Sequence, residues 1–266
     1  MIKFFRKIRQ KLVSEGNTIK YVKYAIGEIV LVVIGILIAL QVNNWNEQRK
    51  TRLEEIKILK DFQENLHITI ENLNKAMASN IKAKNSMNFL LNYMERDLPY
   101  KDSLKYHFGN TNFQWLYTVS TSVFDALKSK GLNLISNDSL RQHIVDTYSW
   151  ANDQFQYDQK SYRDILIYAS RHIYNTRFDQ FWYDNYETWK KRNSFEKKNY
   201  TINDIVSQMV PIDFEKLKKD REYIYFLKSL RNQYNWLIES QNKGMTRSLD
   251  ELENEIGTEL TRLENQ

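Results

Sequence analysis

The chain has 266 residues, of which 27% are charged, and a net charge of +6. It contains no cysteine, which excludes disulfides and thiolate metal sites. Two prolines and seven glycines are too few for a turn-rich β sandwich and favour long helices.

The N-terminal arm, residues 1–24, opens with IKFFRKIRQKLV. Phe5, Ile8 and Leu12 share one face at helical spacing, and Lys3, Arg6, Lys7, Arg9 and Lys11 surround it. This pattern predicts a short amphipathic helix lying on a membrane, with those five cations on lipid headgroups. Residues 1–43 hold seven basic and two acidic groups, so five of the six net positive charges lie there. The basic balance therefore points to anionic lipid, and no nucleic-acid partner is expected.

Ala25 to Val42 reads AIGEIVLVVIGILIALQV. Eighteen helical residues at about 1.5 Å each match the hydrocarbon thickness of a bilayer. Tyr21 and Tyr24 stand before the run and Trp45 after it, where aromatic rings meet headgroups. The flanks are polar and the run has no amphipathic face, unlike a buried core helix. Ala39-Leu40-Gln41 is not a small-residue cleavage site, so the stretch reads as an uncleaved signal anchor, with residues 25–43 as the transmembrane helix. Lys and Arg number seven in residues 1–24 and five in residues 43–62, which places the N-terminus inside and the C-terminal part outside.

Gly27, Leu31, Gly35 and Ala39 recur every four residues. Small residues let helix backbones approach, so this face is a candidate for packing against a second copy or a partner span. Chance is the competing explanation. Glu28 is the single ionisable residue of the run, placed where it reaches headgroups or Lys23.

The start MIKFFRKIRQKL followed by YAIGEIVLVVIGILIALQVNNWNEQRK resembles the N-terminal signature of an uncharacterised bacterial family of single-span membrane proteins. TSVFDALKSKGLNLISNDSLRQHIVDTYSW, residues 121–150, resembles that family's central segment more loosely. The resemblance implies an inner-membrane protein of a Gram-negative envelope with a periplasmic C-terminal part. It implies no activity.

Beyond the span, residues 44–266 are expected to form one extramembrane domain. From Trp45 to Leu98 there is no Gly or Pro. Leu59, Leu66 and Leu73 repeat at seven, and Ile70 and Met77 interleave with that series, predicting a helix with a coiled-coil-like seam. Leu98-Pro99 ends it. Residues 99–118 read as loop or short irregular elements. Ser120 or Thr121 caps a helix that Gly131 stops. Leu132 to Ser136 is a connector or a very short strand. Asn137 or Asp138 caps a long helix towards Tyr168.

Residues 174–200 are rich in aromatics, with lysines and arginines interleaved late. Trp182, Tyr186 and Trp189 are a candidate ligand platform, since aromatic faces suit sugars or bases. The plainer alternative is a loop or helical hairpin whose rings pack on the bundle. Pro211 to Glu215 looks like a capped helix start. A last helical region runs from about Asp220 to Leu263, with Gly244 and Gly257 as weak points. Its acidic tail suits antiparallel pairing with the basic helix after the span.

The expected fold is all-α: one transmembrane helix continuing into an antiparallel bundle of about four long helices. No histidine falls in a metal-ligand motif, and there is no nucleophile elbow or phosphate loop. Pairs such as Glu54/Glu55 and Asp250/Glu251 read as solvated faces. No metal, cofactor or catalytic residue is expected. Three functions remain: an anchored interaction or scaffold module, a ligand-sensing domain acting through a partner, and, last, an envelope-modifying enzyme.

Overall fold

The computed structural model describes residues 18–112, 117–181 and 208–265. They fall into two compact units, one up to Ile56 and one from Lys57 onwards. The fold is all-α, with one minimal sheet among the described residues.

Helix α1 spans Thr18–Glu95. In the first unit its apolar side chains from Ile26 to Val42 are exposed. In the second unit α1 carries the main core stripe. Leu59, Phe62, Leu66, Thr69, Leu73, Ala76, Asn80, Ala83, Met87, Leu90 and Met94 are all buried. They alternate at spacings of three and four, a 3.5-residue period that keeps one face towards its neighbours. Those neighbours belong to the same chain: Ala83, Met87 and Leu90 share a core with Leu166, Leu227 and Tyr234. Glu55, expected on a solvated face, is buried.

Asp97 closes α1 in the left-handed conformation, at φ 51°. Its amide donates to the Met94 carbonyl, and Leu98 donates to that of Tyr93. The Lys218 ammonium fastens this end, 2.7 Å from Asp97 and 2.8 Å from Glu215.

Residues 99–118, read as irregular, contain a two-turn helix, α2, Leu104–Thr111. Leu104, Phe108 and Thr111 are buried on one side of it, and that packing holds the helix through Gly109. Helix α3, Ser122–Lys130, ends at Gly131 as expected, with φ 101°. A single 3₁₀ turn, Leu132–Leu134, takes the place of the connector.

Asn137 caps α4, Asp138–Trp150, accepting from the amides of Ser139 and Leu140. A π-helical turn, Ala151–Phe155, leads into α5, Gln156–His172. Strand β1, Phe178–Phe181, pairs antiparallel with β2, Met209–Pro211, with Phe178 opposite Pro211 and Phe181 opposite Met209. The first part of the expected loop or helical hairpin is thus a strand. Its partner lies almost thirty residues on, so no local pattern announces it.

Asp213 caps the short α6, Phe214–Leu217, and Asp220 caps α7, Arg221–Trp236. A second π-helical turn, Leu237–Asn242, joins α7 to α8, Lys243–Glu264. Gly244 and Gly257 lie within α8 without interrupting it, because the helix packs there: a Cβ on either would make ordinary contact with Trp150 or Gln63.

Four contacts settle the helix directions. Lys60 meets Glu264 at 2.7 Å and Lys84 meets Asn235 at 3.3 Å, so α7–α8 runs antiparallel to α1. Asn137 meets Glu259 at 3.2 Å and Gln159 meets Asn242 at 3.3 Å, so it also runs antiparallel to α4–α5. The other two therefore run parallel to each other. The expected antiparallel pairing of the acidic tail with the post-membrane helix is present.

Candidate functional site

The second unit has an open cleft of about 360 Å³ between α1 and α2. Ala78, Ile81, Lys82, Asn85 and Ser86 come from consecutive turns of α1, and His107 and Asn110 from α2. The walls combine an apolar strip with side chains that hydrogen-bond.

Ser86 is buried and joins the two helices. The Asn110 amide donates to Ser86 Oγ at 3.0 Å, and His107 Nδ1 lies 3.2 Å from the same oxygen. The hydroxyl proton has one acceptor in this network, His107 Nδ1. The ring is then neutral and carries its own proton on Nε2. Two observations favour that state. The imidazole stacks on Phe89 with centroids 4.2 Å apart. Burial pushes the His107 pKa below the usual histidine range. Lys82, one turn before Ser86, is exposed and makes no ion pair among the described residues.

In the core behind α2, Phe108 meets Phe178 edge-on at 5.2 Å, and Tyr223 meets Phe178 at 5.7 Å. Arg177 ties this cluster to α7: its Nε is 2.8 Å from Asp220, its Nη2 2.5 Å from Glu222, and its Nη1 donates to the Ile173 carbonyl. The guanidinium holds the Asp220 carboxyl below its usual range. The Arg177 guanidinium is thus held by two carboxylates and a carbonyl, while the buried Tyr223 hydroxyl beside it has no hydrogen-bond partner among the described residues.

Of the residues singled out in the sequence, Gly27, Leu31, Gly35 and Ala39 lie on exposed helix. A Cβ on Gly27 or Gly35 would meet nothing within 4 Å. Lys3, Arg6, Lys7, Arg9 and Lys11 lie outside the described residues, as do Trp182, Tyr186 and Trp189. Two histidines have carboxylate neighbours that the sequence did not reveal: His143 is 3.0 Å from Glu255 and His67 is 3.8 Å from Glu253. No group of three or more histidines, aspartates or glutamates suited to a metal ion occurs among the described residues. Ser86, His107 and Asn110 escaped sequence reading because a helix expected to be loop brings them together.

No curated protein and no solved structure matches the chain. A family model does, from the apolar stretch through α5 to β1, over more than half of the 266 residues. By that match over residues 28–179, the chain belongs to the Family of unknown function (DUF6090).

Proposed function

We propose that this protein is a membrane-anchored helical interaction module of a bacterial envelope. Residues 25–43 cross the inner membrane, the basic arm of residues 1–24 rests on the cytoplasmic leaflet, and residues 44–266 form the periplasmic domain. The observation that carries this reading is that the eighteen-residue apolar stretch is covered by no other part of the described chain. Burying one such side chain is worth about 1.5–3 kcal/mol, so a run of them left in water would be a severe liability. Lipid resolves it. The partners on this reading are membrane lipid and a second copy or another envelope protein, reached through the Gly27, Leu31, Gly35 and Ala39 face.

Sodium carbonate extraction of membranes from expressing cells tests the anchor. The full-length chain stays in the pellet and leaves it with detergent. Release by carbonate alone would refute the reading.

A further inference from the structure

We infer that the cleft between α1 and α2 is a binding site for a small organic carboxylate, held by Lys82 and His107 over an apolar strip of Ala78 and Ile81. The argument begins with Ser86. Its oxygen accepts from Asn110 and lies 3.2 Å from His107 Nδ1; with the hydroxyl proton directed along that contact, both inward-facing groups are satisfied. That leaves the ring with an N–H at Nε2 and no partner for it among the described residues. Lys82 adds an unpaired ammonium to the same cleft. Among the described residues no Asp or Glu lines it, so the charge they supply to the cleft is one cation with neutral donors beside it.

Size and polarity narrow the ligand further. A volume of about 360 Å³ lies within the range of small-molecule sites and exceeds what an inorganic ion fills. Ala78 and Ile81 offer a lone inorganic anion nothing, whereas they suit the hydrocarbon part of an organic acid. Phe89, holding the imidazole at 4.2 Å, fixes the ring plane and hence the direction of the Nε2 proton. The two helices are packed through buried residues and the imidazole is held by Ser86 and Phe89, so this donor is set before a ligand arrives.

The test is equilibrium dialysis of the full chain in detergent micelles with radiolabelled benzoate, after subtraction of empty micelles. One saturable equivalent is expected. Lys82→Gln, an exposed change that leaves the fold intact, weakens binding at least tenfold. His107→Phe, which keeps the stack on Phe89 and removes Nε2–H, does the same. Benzamide, the neutral isostere, and inorganic phosphate compete poorly. Absence of saturable binding, equal binding of benzamide, equal competition by phosphate, or full affinity in Lys82→Gln would each overturn the assignment.

Discussion

Gln159 Nε2 donates to Asn242 Oδ1 across 3.3 Å, and both side chains are buried. The bond joins the first turn of α5 to the end of the π-helical turn before α8. Asn242 thus ends one π-helical turn, and Gln159 lies one helical turn after the other. A π-helical turn widens the helix by one residue and changes which side chains face inward. Here it turns amides into a core that is otherwise aromatic and aliphatic. Asn242 Nδ2 and Gln241 Oε1 have no side-chain or backbone partner there.

The pair should show opposite responses to single and double replacement. Gln159→Leu alone strips Asn242 of its partner and costs about 1–3 kcal/mol. Adding Asn242→Leu removes the stranded amide, and the double variant returns to within about 1 kcal/mol of the parent. Thermal unfolding of the four proteins in one detergent checks this. Simple additivity of the two losses would show that the bond contributes nothing of its own.

His107 should make stability depend on pH in a definite direction. Its folded pKa lies below the ordinary 6.5, with burial as the cause. Protons therefore bind the unfolded chain first. The contribution is complete above about pH 6.5 and is lost as pH falls towards the folded value. Measured as the difference between parent and His107→Phe, the parent should lose more stability between pH 7 and pH 5. Taking the difference isolates His107 from every other titrating group in the chain.

Gly131 is required for its backbone. A Cβ there would touch nothing within 4 Å, yet φ is 101°. Gly131→Ala should cost about 1–2 kcal/mol from strain in that conformation. With ψ at 129° the residue lies outside the left-handed helical well that asparagine tolerates, so Gly131→Asn should cost about as much. Melting temperatures of both variants decide it.

Asn137 has two tasks. It caps α4 and its amide donates to the buried Glu259, which Arg262 also holds at 2.6 Å. Arg262 and Asn137 keep the Glu259 carboxyl below its usual range. Asn137→Asp should retain the cap but set two carboxylates together. It should therefore destabilise more than Asn137→Ser, which keeps a cap for about the same helix energy. Urea unfolding at pH 7 separates the two.

Much of this fold was legible because it rests on local rules. The seven-residue spacing of Leu59, Leu66 and Leu73, the caps at Asn137 and Asp213, and the stop at Gly131 need only nearby residues. What escaped depends on distant ones. Strand β1 needs β2, α2 needs the α1 surface beneath it, and the buried state of Glu55 contradicts its charged neighbourhood. The cleft was illegible for the same reason, since Ser86 and His107 meet only after α2 folds back. The fold class could be read from periodicity, whereas the candidate site is a product of tertiary packing.

The small-residue face makes a separate claim. If Gly27, Leu31, Gly35 and Ala39 pack against a second copy, Gly35→Leu should sharply lower crosslinking between chains in native membranes. Crosslinking unchanged by Gly35→Leu would remove that face from the account.

The most direct measurement concerns the anchor itself. Spheroplasts expressing the full chain with a C-terminal epitope are treated with protease, with and without prior lysis. Membrane anchoring with an outer domain requires that the epitope pellet with the membranes and be destroyed in intact spheroplasts. An epitope that resists protease until lysis, or a chain recovered in the high-speed supernatant without detergent, would contradict it.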